Sequence, residues 1–355
     1  MIRLTQELVE IKSETNFSNN REIVNYLCSF FKEIGLKSVK QKIQDNLYNL
    51  IVLGKGNMLI NGHMDTVILG EKWTKKQGQV EGGKIYGRGT SDTKGNFACF
   101  LAALRNNPTE NITCTFSAVE EGSFLGIETV MQKKQADFPK IKYGVTLEPT
   151  DGRLCNLSKG IFGFEVNSYG KTAHGSTPHL GENAIEKLSK LIVRFEEYKG
   201  RLSKKTYKNL DSPTINIGQI EGGKQINVVP EHAKILVERR LLPNENEDKV
   251  VKEFTDFCKG FEVKNIFRIY PFETSENSNL IKLFKELTGQ SNVYPSIGSN
   301  EASVFVRNGM DGLVYGPGRG DQAHKRDEFI EIKEMEKSRK VFDKLIKKVE
   351  GNQLV

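Results

Sequence analysis

Three separate apolar runs in this chain end in side chains of the kind that hold cations. Met58-Leu59-Ile60-Asn61-Gly62 leads into His63-Met64-Asp65, Thr113 to Val119 leads into Glu120-Glu121-Gly122, and Tyr143 to Leu147 leads into Glu148-Pro149. Runs of this length read as strands. Lys94 to Arg105, lying between the first two, reads as a helix with Phe97, Phe100, Leu101 and Leu104 on one face. Strands alternating with helices argue an α/β fold, a mostly parallel sheet covered by helices. Sites in such sheets form beyond the carboxyl ends of the strands. A fourth acid, Asp92, closes the glycine-rich run Gly87-Arg88-Gly89-Thr90-Ser91-Asp92 that enters the helix.

Each of these residues has a plain reading when taken alone. A histidine after a strand is a hydrogen-bonded loop residue, a glutamate pair there is solvated, and an aspartate before a helix is a cap. Several acid-bearing strand ends converging on one edge are different, because like charges repel and a bound cation relieves them. Imidazole mixed with carboxylate suits zinc better than calcium or magnesium, which prefer all-oxygen shells. Asp65, two residues after His63, is spaced to accept the free ring N–H and fix the tautomer.

The 355 residues exceed the roughly 250–300 at which single cores stop growing, so two domains are expected. Thr5 to Ile11 and Ser18 to Ile34 read as helices. The second has Asn19 and Glu22 spaced as a capping box, Ile23, Leu27, Phe30 and Phe31 at helical spacing, and Gly35 as its stop. Tyr48 to Leu53 reads as another strand. Near residue 156 the pattern changes. Gly160 to Tyr169 alternates as a strand, Asn183 to Lys199 is an amphipathic helix, Thr214 to Gln219 and Lys234 to Leu241 are strands, and Lys249 to Lys259 is a helix. That order predicts a small α+β sandwich with helices on one face of an antiparallel sheet. From about 271 the first pattern resumes and closes with the helix Glu334 to Val349. The expectation is one domain made of 1–156 and 271–355, interrupted by an inserted domain of 157–270.

Composition narrows the function classes. No long uncharged apolar run exists, so no membrane span is expected. Met1 to Lys12 lacks the pattern of a secretory signal. The five cysteines are an odd number with no C-x-x-C pair, which argues against a disulfide framework or a cysteine metal site and for a reducing cytoplasm. The net charge of +7 comes from lysines interspersed with glutamates, as in Glu331-Ile332-Lys333-Glu334, so no nucleic-acid role is expected.

These residues, with further motifs in the same order, resemble the co-catalytic zinc family of aminoacylases, acetylornithine deacetylases and succinyl-diaminopimelate desuccinylases. The likeness is carried by Gly62-His63-Met64-Asp65-Thr66-Val67, by Tyr86-Gly87-Arg88-Gly89 through Asp92-Thr93-Lys94-Gly95, by Glu120-Glu121-Gly122 and by Glu148-Pro149-Thr150. Ala173-His174-Gly175-Ser176-Thr177-Pro178 and Gly316-Pro317-Gly318 through His324 complete it. The resemblance implies a zinc-peptidase-like α/β fold with helices on both faces of the sheet and an inserted α+β lid and dimerisation domain. It implies two zinc ions, with cobalt and manganese as further candidates. His63, Asp92 and Glu148 would hold one ion and Asp92, Glu121 and His324 the other. Glu120 would be the general acid/base and Asp65 the orienter of His63. His174 would reach the site of a second copy in a homodimer. Asn227 and Arg240 match lid positions that contact substrate, with a turn residue and a structural ion pair as their plain readings. Glu301, in Gly298-Ser299-Asn300-Glu301-Ala302, would line the substrate pocket or simply cap the next helix.

Asp321-Gln322-Ala323-His324 looks like the acetylornithine deacetylase version of its segment. The expected activity is therefore hydrolysis of a small N-acyl amino acid, N-acetylornithine first, with N-acetylcitrulline and N-acetyllysine next. A desuccinylase or dipeptidase of the same fold and a non-catalytic relative are the alternatives.

Overall fold

The computed structural model describes residues 1–15, 19–137 and 141–351, with the backbone alone over 133–137. The chain divides into two compact units, Met1–Leu157 with Phe272–Val355, and Ser158–Pro271.

In the first unit the apolar runs form neighbouring strands. Met58–His63, Ile112–Ser117 and Tyr143–Thr146 are buried along their whole length, as strands of a parallel sheet covered on both faces must be. Ile112–Ser117 lies parallel on one side of Met58–His63, in a register that sets His63 opposite Ser117. Tyr143–Thr146 lies parallel on the other side, and Asp311–Val314 continues the parallel run beyond it. The earliest of these strands thus sits between the next two; the chain leaves it toward Ile112–Ser117 on one side, and leaves its neighbour Tyr143–Thr146 toward Cys155–Ser158 on the other. That is the switch point at which a crevice opens beyond the strand ends. The margins of this nine-stranded sheet are antiparallel: the hairpin Ser38–Gln44 and Leu47–Val52 on one side, and Cys155–Ser158 against Asp311–Val314 on the other.

Helices cover both faces. Lys94–Asn106 is the central one, buried from Lys94 to Leu104, with Ile2–Glu10 and Ile332–Glu350 packed against it. Phe97 meets Phe116 edge-on at 5.3 Å, and Phe100 meets Phe342 at 5.6 Å. Each fully buried Phe or Leu contributes about 1.5–3 kcal/mol. This layer is therefore the main source of stability for the edge that carries the polar side chains. Leu125–Asp137 and Ala302–Arg307 pack on each other and on the sheet strands separately from that cluster.

The second helix differs from its expected start. Arg21 is its first residue, Asn20 precedes it without a capping hydrogen bond, and Ser18 lies outside the described residues. The Asn20 side chain instead reaches the strand, donating to the Tyr48 carbonyl (2.7 Å) and accepting from the Tyr48 N–H (3.0 Å). Among the described residues Asn19 accepts from the Arg21 N–H and not from Glu22, so no capping box forms.

The second unit is a four-stranded antiparallel sheet in the order Ile215–Gly222, His232–Leu241, Gly160–Tyr169, Glu262–Ile269. Helices Ala184–Leu202 and Glu247–Phe257 share one apolar cluster with it, Phe164 stacking on Phe254 at 4.1 Å. Strand His232–Leu241 alternates buried and open positions, which leaves Lys234, Glu238 and Arg240 on the side away from that core. This is the α+β arrangement the sequence pattern predicts. Among the described residues, no helix is long and apolar enough to cross a membrane.

Candidate metal centre

His63 is the last residue of its strand and is fully buried. Its Nδ1 donates to the backbone carbonyl of Asp65 at 2.9 Å, which fixes the tautomer and turns Nε2 outward. Three carboxylates face that nitrogen: Asp92 Oδ1 at 3.1 Å, Glu148 Oε1 at 3.7 Å and Glu120 Oε2 at 3.8 Å. Asp92 turns its other oxygen to His324, with Oδ2 3.3 Å from Nε2, and Glu121 Oε1 lies 3.1 Å from the same nitrogen. A single carboxylate therefore stands between two imidazoles, each with a further acid beside it. Two groups, His63 with Glu120 and Glu148 and His63 with Asp92 and Glu121, have their ligand atoms within 4.8 Å of one another.

Electrostatics follow from this crowding. Burial raises the Asp92 carboxyl, but hydrogen bonds with His324 and His63 outweigh it and hold it well below the usual range. Burial, with Glu148 and Glu121 nearby, raises Glu120 well above the ordinary carboxyl value against the pull of His63. Burial and Asp92 do the same to Glu148. Burial disfavours the His63 cation, yet Glu120, Asp65 and Asp92 raise its pKa well above normal. Hydrogen bonds to Asp92 and Glu121 raise His324 to about 10. Imidazolium protons thus supply positive charge where a cation would supply it better. The donor set fits one: mixed imidazole and carboxylate is the chemistry of zinc, cobalt or manganese. Glu148 Oε1 is buried with no hydrogen-bond partner among the described residues, a lone pair left for a ligand.

Asp65 differs from its expected geometry. Its carboxylate Oδ1 stands 3.6 Å from His63 Nδ1, and it is the backbone carbonyl that takes the ring N–H. The carboxylate instead accepts from the backbone N–H of Glu120 (3.1 Å), the backbone N–H of Glu121 (3.2 Å) and the Thr15 hydroxyl (2.6 Å). It thereby anchors the four-residue turn Glu120–Ser123, which is flanked by Val119 and Phe124 at φ of +66° and +56°. A β-branched residue in that region is strained, so the turn depends on its anchor.

Glu301 is not the side-chain cap that was one of its two expected roles. It is fully buried, its carboxylate accepts from the Asn61 amide and the Ser117 hydroxyl, and it makes no helix-cap hydrogen bond. Burial pushes its carboxyl up to about 7. Its side chain does not cap the helix that follows. It ties together the two strands that end at His63 and Ser117.

His174, Asn227 and Arg240 belong to the second unit. His174 Nδ1 is 2.7 Å from the Ser176 hydroxyl, and the residue bridges to Val228, next to Asn227. Arg240 Nε donates to Glu238 at 2.5 Å.

One residue with structural authority over the centre was not singled out from the sequence. Glu328 Oε1 accepts the backbone N–H groups of Gly89, Ser91 and Asp92, and Oε2 pairs with Arg88. Burial, with Asp92 nearby, raises its carboxyl to about 7 against the pull of Arg88. Only its place in the segment after His324 could have drawn attention to it.

Comparison with known proteins agrees with this geometry. The chain is 28% identical over 380 residues to a protein of Staphylococcus aureus (strain N315) named probable succinyl-diaminopimelate desuccinylase, covering 93% of this chain and 92% of that one. It is 27% identical over 376 residues to an acetylornithine deacetylase of Buchnera aphidicola subsp. Schizaphis graminum, covering 98% and 97%. A crystal structure of a tripeptidase from Staphylococcus aureus subsp. aureus Mu50 shares the fold, with a TM-score of 0.80 and 22% identity over 98% of this chain and 97% of that one. Residues 59–348, which hold every member of the histidine and carboxylate cluster, match the family model itself, and the chain belongs to peptidase family M20/M25/M40.

Proposed function

We propose that this chain is a two-zinc amidohydrolase that cleaves the amide bond of an N-acyl amino acid, N-acetylornithine foremost, in the cytoplasm and in arginine biosynthesis. The observation that carries the reading is Asp92, its two carboxylate oxygens turned to two different histidines, each with a further glutamate at hand. His63, Asp92 and Glu148 would hold one ion, and Asp92, Glu121 and His324 the other. Zinc is the first choice, with cobalt and manganese as alternatives.

Bound metal would polarise the amide carbonyl and make water a nucleophile near neutral pH. Glu120 would take the proton of the attacking water and pass it to the leaving amine. Its burial suits the task, since a carboxyl raised from its ordinary value is a better base near neutrality. Asp65 would keep Glu120 aimed by holding its backbone N–H. His174, Asn227 and Arg240 would contact the substrate, with His174 serving a second copy of the chain in a homodimer and stabilising the oxyanion there.

Support for the acetyl substrate comes from the Asp321-Gln322-Ala323-His324 run and from the acetylornithine deacetylase relative. N-acetylcitrulline and N-acetyllysine are the nearest variants. A second reading, desuccinylation, draws on the relative named for that activity at 28% identity. Amine release should be measured from N-acetylornithine, N-succinyl-diaminopimelate and several di- and tripeptides. Preference for N-acetylornithine, abolished by a chelator and restored by zinc, is the expected result. Preference for the succinyl compound or peptides would overturn the substrate. Metal-independent cleavage, or none, would overturn the mechanism.

A further inference from the structure

The loop that carries Asp92 and the loop that carries His324 are far apart in sequence, yet the proposed two-ion centre needs both at fixed spacing. One buried ion pair joins them. Glu328 has a fully buried side chain, and its Oε1 collects the backbone N–H groups of Gly89 (3.1 Å), Ser91 (2.9 Å) and Asp92 (3.1 Å). Such convergent N–H groups form a cradle that only an acceptor can fill. Its Oε2 takes the Arg88 guanidinium at 2.7 Å. Arg88 in turn uses Nη2 to donate to the backbone carbonyl of His324 at 3.3 Å, and its guanidinium lies over the Trp73 ring at 5.4 Å. The Gly87 N–H closes the circuit by donating to the Glu328 carbonyl at 2.9 Å.

We infer that Glu328 and Arg88 form a positioning pair that sets the separation of Asp92 and His324, and so the affinity for the ion on the Glu121–His324 side. The inference rests on the two-ion reading above. Glutamine at 328 can present its oxygen to the three N–H groups only by turning its amide N–H toward Arg88, a donor facing a donor. Lysine at 88 can pair with Glu328 but lacks the second arm that reaches the His324 carbonyl. Neither substitution touches a proposed ligand side chain. Partners that orient ligands in this way are worth about 10–100-fold in metal affinity.

The test is a two-step zinc titration of the full-length chain by calorimetry with a competing chelator. The step lost in His324→Ala identifies the Glu121–His324 site. In Arg88→Lys, which frees only the His324 arm, that same step should weaken by about 10–100-fold while the other step shifts by less than about threefold; in Glu328→Gln, which also loosens the shared Asp92, it should weaken by the same factor and by clearly more than the other step. Cobalt absorption bands that change for the weakened site alone would add a spectroscopic signature. A variant that melts earlier without metal but shows two unaltered steps, or one in which both steps fall equally, would reduce the pair to ordinary structure and overturn the inference. If Glu328→Gln does not fold, Arg88→Lys carries the test by itself. Failure of the unsubstituted chain to bind two ions would instead overturn the two-ion reading, and this inference with it.

Discussion

Asp65 is the residue whose replacement separates this account from a simpler one, in which it only buttresses His63. Asparagine keeps the size of the side chain but offers one acceptor oxygen instead of two. The oxygen nearest Thr15 and the Glu121 N–H can be retained, and the position facing the Glu120 N–H then becomes an amide donor. Leaving that part-buried N–H without an acceptor costs at most about 1–3 kcal/mol. The retained bonds also lose the assistance of charge, which roughly halves them, so the total loss is about 2–4 kcal/mol. The turn they hold is flanked by two non-glycine residues at positive φ, which carry about 1–3 kcal/mol of strain each and will relax when the anchor weakens. A displacement of Glu120 by about 1 Å would cost on the order of 100-fold in kcat. The measurement is urea unfolding of metal-free Asp65→Asn beside kcat of the metal-loaded enzyme. The pH dependence has a definite sign. Asp65 is held below its ordinary pKa: burial raises it, but the His63 imidazole close by and the hydrogen bonds from the Thr15 hydroxyl and the Glu120 N–H outweigh that. Its stabilising effect is therefore present above about pH 3.9 and is lost as pH falls through the lowered folded value; the variant should lack this component. A variant within about 0.5 kcal/mol of the parent and with unchanged kcat would refute the reasoning.

Two further outcomes are expected. In the metal-free chain carboxylate neighbours raise the pKa of both His63 and His324, so cations must displace protons, and apparent zinc affinity should climb with pH through and above neutrality. Calorimetry in buffers of different ionisation enthalpy should show proton release, and a buffer-independent heat would contradict it. Gly144→Ala would drive a Cβ into the Phe305 ring beneath the parallel strands, which costs about 1–3 kcal/mol of overpacking. A thermal melt unchanged from the parent would show that the ring gives way freely.

The strand-end residues were legible because the physics that buries a parallel strand also delivers its last residue to a known edge. His63, Glu120, Glu121 and Glu148 could be grouped from three runs of sequence without knowing their distances. Ser38–Gln44 was not legible as a strand. It is a sheet-margin strand with Lys40 and Lys42 exposed and few apolar positions, the composition that protects an edge rather than the one that signals a strand. The ties that Glu301 and Glu328 make were not legible for a shared reason. Each is a buried carboxylate whose partners lie more than 180 residues away in the chain, and acids in loops ordinarily read as solvated. The helix start at Arg21 shifted because Asn20 finds better partners on the strand at Tyr48 than at its own helix end.

The most direct test of the central claim is Glu120→Gln, assayed for bound zinc and for amine release from N-acetylornithine by the same preparation. The account predicts zinc content equal to the parent, because Glu120 is not among the proposed ligands, with turnover lower by about 100-fold or more. Near-normal turnover with zinc fully bound would contradict it.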